Sequence, residues 1–215
     1  MYVLFDLDGT IVDSVPAHRR AAQAAFRQLE MPVDEPGLMR FLMASDAAGA
    51  GLPSDLYLEV WRRMQPLYRR EQHTIQPFAG VPELLSRLPS LGLGAGLVTS
   101  KRRWAVEREL ERLDLRGHFA CTVCREDTRT HKPSPEPLLH ALGRLGAPGV
   151  AYVGDVPSDV QAAKAAGLPA IGAAWGWAGA GALRQAGADW VLERPAELLP
   201  LVASLAQAEG AVEGA

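Results

Sequence analysis

From Pro77 onward the chain repeats one unit: a short apolar run that closes on a polar residue, then a stretch with helical spacing. Residues 93–98, 119–123, 150–153, 169–172 and 190–192 read as strands, being brief, apolar and bounded by turn formers. Residues 81–91, 101–113, 135–145, 158–166, 180–186 and 195–207 read as helices. A further strand opens the chain at 2–7. Strands separated by helices pair in parallel through crossovers, not as hairpins. The predicted fold class is therefore α/β, with a doubly wound parallel, Rossmann-like sheet at its core.

One segment breaks the alternation. Residues 15–76 contain no strand candidate. Helical spacing covers 17–29, where Ala21, Ala25, Phe26 and Leu29 share a face, then about 38–43 and 55–68, the last interrupted or kinked at Pro66. Met31-Pro32 and Glu35-Pro36-Gly37 separate the first two. The expected organisation is a core of residues 1–13 and 80–215 with residues 14–79 inserted as an all-helical cap domain. A length of 215 residues suits one domain carrying such an insertion. The small, polar tail at 208–215 is expected to fray.

Charge and composition exclude several partners. The formal net charge is −3, and the paired arginines of residues 14–76 are balanced, eight Arg against seven acids. A nucleic-acid binder would carry a basic face, so none is expected. No run approaches the roughly 18 apolar residues of a membrane span. Met1 to Asp6 lacks the basic region of a secretory signal, and two cysteines are too few for a disulfide framework. A cytoplasmic protein, monomeric or homodimeric, is the expectation.

Open parallel sheets bind ligands at the carboxyl ends of their strands. The predicted ends here are Asp6 and Asp8, then Thr99 and Ser100, then Gly154-Asp155, with Lys132 in the loop after the third strand. Lys132 is one of only three lysines among 22 basic side chains. An Asp after a strand is often no more than a turn former or helix cap. Acid pair, hydroxyl, lysine, acid pair in that order is harder to explain as a run of caps.

Those segments, Phe5-Asp6-Leu7-Asp8-Gly9-Thr10, Leu97-Val98-Thr99-Ser100, Lys132-Pro133 and Gly154-Asp155-Val156-Pro157-Ser158-Asp159, resemble the four signature motifs of the haloacid dehalogenase superfamily. Pro77-Phe78-Ala79-Gly80-Val81, Lys132-Pro133-Ser134-Pro135-Glu136-Pro137-Leu138 and Ala162-Ala163-Lys164-Ala165-Ala166-Gly167 are similar to its phosphoglycolate phosphatase branch. The resemblance covers residues 1–13 and 77–205; the helical insert resembles a family cap only in position, length and helical character.

The resemblance implies a Mg²⁺-dependent phosphatase acting on a small phosphorylated metabolite, 2-phosphoglycolate first. It makes Asp6 the nucleophile that forms an aspartyl-phosphate, and Asp8 the acid that protonates the leaving alkoxide and then the base that activates water. Mg²⁺ would be held by Asp6, the Asp8 backbone carbonyl and Asp155, a hard-oxygen set. Thr99, Ser100, Lys132 and the amides after the first strand, Gly9 among them, would bind the phosphoryl group. Asp159 is expected to orient Lys132 or a metal-bound water instead of binding metal directly. His18, Arg19, Arg40, Ser45 and Asp46 are candidates for substrate specificity, within or beside the small, Gly-rich run 44–52.

Other readings stay open at this point. Dehalogenases of the superfamily lack an acid at the position of Asp8, and phosphonoacetaldehyde hydrolases need a cap lysine that residues 14–80 do not contain. A sugar-phosphate phosphatase or a pyrophosphatase remains, because Asp13-Ser14-Val15-Pro16-Ala17-His18 is similar to sugar-phosphate members. A phosphomutase usually carries Glu where this chain has Gly154. A catalytically dead phosphate-binding protein would have lost one of the motif residues. A phosphorelay receiver would carry its phosphorylated Asp on the third strand. Cys121 and Cys124, three apart on or beside a strand, read as buried structural residues. Trp175 and Trp177 read as packing over the end of the sheet.

Overall fold

A computed structural model describes residues 1–44 and 46–213, with side chains through residue 208. It divides into two compact units, Met1–Asp13 with Pro77–Ala215, and Ser14–Gln76.

The first unit is built on six strands: β1 (Tyr2–Phe5), β2 (Gly94–Val98), β3 (Phe119–Val123), β4 (Gly149–Gly154), β5 (Ala170–Ala173) and β6 (Trp190–Leu192). Their order is β3-β2-β1-β4-β5-β6 and every neighbouring pair is parallel. The α-helices are, in chain order, α1 (Val15–Gln28), α2 (Glu35–Met43), α3 (Ala47–Ala50) and α4 (Ser54–Glu71) in the second unit, then α5 (Val81–Arg87), α6 (Arg103–Arg112), α7 (Glu136–Leu145), α8 (Pro157–Ala165), α9 (Gly179–Gln185) and α10 (Leu198–Glu213) in the first. The predicted α/β class and parallel sheet are what the chain adopts.

The central strands are apolar on both faces because helices cover both. Val3, Leu4 and Phe5 of β1 are fully buried, as is every residue of β4. Burying a side chain such as Phe5 contributes roughly 1.5–3 kcal/mol. One face packs Leu4, Val98 and Tyr152 against Leu138 and Ala141 of α7 and Val160 and Ala163 of α8. Residues 77–79 belong with this unit: Val12 bridges to Pro77, and the Phe78 N–H donates to the Ile11 carbonyl at 3.0 Å.

The second unit is all-helical among its described residues. α1 and α4 make its main helix pair, with Ala17, Ala21 and Ala25 of α1 buried and Val60, Met64 and Tyr68 of α4 buried. Phe26, Phe41, Tyr57 and Trp61 form an aromatic cluster, with Phe26 edge-on to Phe41 at 5.3 Å. Two details differ from expectation. α4 is not interrupted at Pro66: the helix continues through it, and the carbonyl that loses its partner there belongs to exposed Arg62. Within 44–52, the Gly-rich run between two predicted helices, Ala47–Ala50 makes one helical turn, with Asp46 accepting from the Gly49 N–H at 2.8 Å at one end and Gly51 in the left-handed region at the other. At the chain's end α10 continues to Glu213, beyond the predicted stop at 207.

Candidate active site

The strand order reverses about β1: β2 and β3 lie on one side of it, β4 to β6 on the other. At such a switch point the loops leaving adjacent strands diverge and open a crevice at the carboxyl ends. Register brings three strand ends level there. Phe5 pairs with Leu97 and with Val153, so Asp6, directly after β1, lies level with Val98 and Gly154, the last residues of β2 and β4. The Asp6 N–H donates to the Val153 carbonyl at 2.9 Å, and the Thr99 N–H to the Val123 carbonyl at 3.0 Å.

Lys132 is the hub. Its Nζ lies 2.7 Å from Asp6 Oδ1, 2.7 Å from Asp159 Oδ1 and 2.9 Å from the Tyr152 hydroxyl. The loop presenting it is tied down by Glu136 in the first turn of α7, which accepts from the Arg129 and Thr130 N–H groups at 3.2 and 2.7 Å. Asp159 also caps its own helix: Oδ2 accepts from the N–H groups of Asp155 and Val156 at 3.1 and 3.2 Å. Tyr152, which sequence reasoning did not single out, shares Asp159 Oδ1 at 3.2 Å. No alternation marked it, because β4 is buried along its whole length.

Asp155 is held from two other loops. The Trp177 N–H donates to Oδ2 at 2.8 Å and the Thr10 hydroxyl to Oδ1 at 3.4 Å. Gly9 has φ +84°, and a Cβ there would sit 2.0 Å from Asp155 Oδ2 and 2.4 Å from Trp177 Cδ1. Any side chain at Gly9 would push these loops apart. The tryptophan loop thus does more than pack: Trp175 Nε1 also donates to the Thr10 carbonyl at 3.0 Å. The role expected of the Gly9 amide needs correction, since that N–H donates to the Val12 carbonyl at 2.9 Å and the Thr10 N–H turns to the Leu7 carbonyl. The N–H groups of Leu7 and exposed Ser100 donate to no other group among the described residues. The Thr99 hydroxyl accepts from the Lys101 N–H at 3.2 Å, and Lys101 Nζ lies 3.0 Å from Asp8 Oδ1.

One oxygen from each of Asp6, Asp155 and Asp159 lies within 4.8 Å of the others, and all three residues are buried. Burial, opposed by Lys132 and reinforced by Asp159, pushes the Asp6 carboxyl up to about 7. Burial, then the charges of Asp159 and Asp6, pushes Asp155 well above the ordinary carboxylate range. Burial works against the Lys132 charge, but Asp159 and Asp6 outweigh it and hold that ammonium protonated. Three buried carboxylates facing one ammonium are under-compensated, and an all-oxygen donor set of this kind fits a hard divalent cation such as Mg²⁺. Asp159 Oδ1 faces the Lys132 ammonium and its Oδ2 takes two N–H groups of its own helix, whereas Asp6 is engaged through Oδ1 and Asp155 Oδ1 takes only a long contact of 3.4 Å, so Asp6 and Asp155 are the side chains better placed to hold one.

A pH test follows from these shifts. Asp6 and Asp155 titrate higher in the folded than in the unfolded chain, so the metal-free protein binds more protons than its unfolded form. Their contribution to stability is complete below the unfolded value near 4; the Asp6 part is lost as pH rises through about 7, and the Asp155 part as pH rises through its own raised value. A cation that needs both carboxylates ionised restores it. The rise in Tm caused by saturating Mg²⁺ is therefore expected to be larger at pH 8 than at pH 5; an equal rise at both would contradict the cluster as the cation site.

The specificity candidates all lie in the helical unit. His18 Nδ1 is 2.9 Å from the Ser14 carbonyl, and its ring stacks at 4.1 Å on Tyr68. Arg19 pairs with Glu35 at 2.6 Å. Asp46 is occupied as the cap of α3, and Ser45 lies outside the described residues. Arg40 has no hydrogen-bond or ion-pair partner among the described residues and lines an open cavity of about 620 Å³ with Phe26, Phe41 and Gly51. Cys121 and Cys124 are free and buried, and burial pushes the Cys124 thiol up to about 11.

Residues 3–173 match the family of haloacid dehalogenase-like hydrolases. The chain is 31% identical to the phosphoglycolate phosphatase of Salmonella typhimurium over 229 residues, covering 92% of this chain and 90% of that one. Among solved structures, a hydrolase from Pseudomonas syringae is 28% identical with a TM-score of 0.78, covering 93% of this chain and 96% of the other. A Thermotoga maritima protein assigned as a β-phosphoglucomutase is 25% identical with a TM-score of 0.75, covering 94% and 97%.

Proposed function

Because the chain belongs to the haloacid dehalogenase-like hydrolase family and is a phosphoric monoester hydrolase, we propose that it is a cytoplasmic, Mg²⁺-dependent phosphatase whose substrate is 2-phosphoglycolate. The observation that carries the reading is the cluster of Asp6, Asp155 and Asp159 around Lys132 at the switch point of the sheet. A Mg²⁺ held by Asp6, Asp155 and the Asp8 carbonyl supplies positive charge that lets a carboxylate approach a phosphoryl group.

The chain's own residues do the rest. Lys132, Ser100 and Thr99 bind the phosphoryl oxygens. An Asp6 oxygen attacks phosphorus and the bond to the leaving oxygen breaks. Asp8 gives its proton to that oxygen, and glycolate departs. Asp8, now a carboxylate, takes a proton from water as the water oxygen attacks phosphorus. The Asp6–phosphorus bond breaks, inorganic phosphate leaves, and both acids return to their starting states.

A mutase reading has the Thermotoga neighbour in its favour. Residue 154 speaks for hydrolysis. A Cβ at Gly154 would sit 2.3 Å from Asp159 Cβ, so the Glu typical of mutases has no room while Asp159 stays in place.

Every candidate substrate shares the phosphoryl group, so discrimination falls to the helical unit. Arg19 is already paired with Glu35, so Arg40 is the arginine we assign to substrate choice. Rates on 2-phosphoglycolate, sugar phosphates and 4-nitrophenyl phosphate test both points. The expected order places 2-phosphoglycolate first by kcat/KM; a sugar phosphate in first place would overturn the substrate assignment. Arg40→Ala, which removes one charge, and Gly49→Val, which adds bulk to the same run, are each expected to lower kcat/KM for 2-phosphoglycolate about tenfold or more while barely changing that for 4-nitrophenyl phosphate. Equal losses on both would show that this segment does not select substrate. Gly51 is the poorer probe, because its φ of +69° strains any replacement.

A further inference from the structure

Lys101 and Glu109 form a buried ion pair for which the reaction described above has no use. Lys101 follows the end of β2 closely, and its side chain is 10% exposed. Its Nζ lies 2.5 Å from Glu109 Oε2 and 3.0 Å from Asp8 Oδ1, so one ammonium bridges two carboxylates. Glu109 sits on the inward face of α6 with Ala105, Val106 and Leu110, where a helix packing on a sheet ordinarily places apolar residues. Its second oxygen, Oε1, is buried with no hydrogen-bond partner among the described residues. Burial, opposed by Lys101 and reinforced by Asp8, raises the Glu109 carboxyl above its ordinary range.

As a stabilising device this arrangement is poor. A buried pair is often no better than apolar side chains of the same volume, and the half-satisfied carboxylate makes it worse. As an anchor it is well placed. A lysine stem is flexible, and Glu109 fixes the position of its ammonium. The ammonium, once fixed, restricts the carboxyl of Asp8, which is only half-buried and projects from a loop.

We propose that Lys101, anchored by Glu109, is a positioning residue that aims the Asp8 carboxyl at the leaving-group oxygen. The inference rests on the reading of Asp8 as the proton donor. A donor matters most when the leaving group is a strong base. Benzyl phosphate and 4-nitrophenyl phosphate share an aromatic ring but differ in this respect: benzyl alkoxide needs a proton to leave, nitrophenolate does not. The informative quantity is kcat/KM, which covers the steps through release of the leaving group and is blind to the later hydrolysis that both substrates share.

With saturating Mg²⁺, Lys101→Met is expected to lower kcat/KM about 10²-fold on benzyl phosphate and less than about tenfold on 4-nitrophenyl phosphate, the size of effect that misplacing a catalytic group produces. Lys101→Met alone buries an unpaired Glu109, so Lys101→Met/Glu109→Gln, which removes both charges, is measured beside it, with folding checked by circular dichroism. The double variant is expected to show the same contrast between substrates. Asp8→Asn is the reference. If Asp8→Asn discriminates between the two substrates and the folded Lys101 variants lose equally on both, or lose nothing, Lys101 does not position the donor. If Asp8→Asn itself loses equally on both, the proton-donor role of Asp8 fails and the inference falls with it.

Discussion

Asp6→Asn is expected to reduce turnover of every phosphomonoester by about 10⁴-fold or more, as loss of a nucleophile does in enzymes that work through a covalent intermediate. The substitution keeps the shape of the side chain and removes its ability to attack phosphorus. The fold is expected to survive, because Lys132 keeps Asp159 at 2.7 Å and Tyr152 at 2.9 Å. In the metal-free protein at pH 8 a carboxyl pushed up to about 7 is mostly ionised although burial disfavours its charge; the neutral amide removes that cost, so Tm at pH 8 without Mg²⁺ is expected to be no lower than in the parent. The covalent intermediate is open to direct capture. Acid quench during steady turnover, followed by borohydride reduction, converts an aspartyl-phosphate to homoserine, which mass spectrometry places at residue 6. Turnover that proceeds with no modified Asp6, or an Asp6→Asn variant retaining a tenth of the parent rate, would rule out the nucleophile assignment.

Asp155→Ala is expected to lower the rate at least about 10²-fold at a Mg²⁺ concentration that saturates the parent, and to raise the Mg²⁺ needed for half-maximal activity sharply. Two side-chain carboxylates remain for a cation once Asp159 is committed to Lys132, Tyr152 and its own helix, so losing one removes half of that charge. Ca²⁺ is expected to bind the parent but to support little turnover, because its larger and looser shell misplaces nucleophile and phosphorus. A structural role for Asp155 would look different. Loss of the Trp177 N–H contact at 2.8 Å would cost stability of about 1 kcal/mol and leave the metal requirement unchanged. Full activity of the parent enzyme in excess chelator would end the metal assignment.

The alternation of short apolar runs with helices after Pro77 determined the parallel sheet, because only crossover connections join such strands. Strand boundaries came out within a residue or two for the same reason: each apolar run stops where a polar residue meets the open edge of the sheet, as at Asp6, Thr99 and Asp155. The sequence also determined which side chains gather at one place, since each motif lies between the end of a strand and the first turn of the next helix, and parallel strands present their ends on one side. Asp159 beside Lys132 is what the resemblance implied. What the residues alone could not determine was the other pairings: Tyr152 meets Lys132 across 20 positions, and Lys101 lies 93 residues from Asp8. Such contacts depend on strand order and register, to which local periodicity is blind. The same holds for the amides: Gly9 reads as a phosphate donor in the sequence, and only the turn at 7–12 directs its N–H to Val12 instead. In the helical unit the pattern determined helices but not their detail. Pro66 stays within α4 because its missing bond faces solvent, and one turn forms at Ala47–Ala50 because Asp46 and Gly51 happen to suit its two ends. Propensity proposes in both places, and the surroundings of one carbonyl and one cap decide.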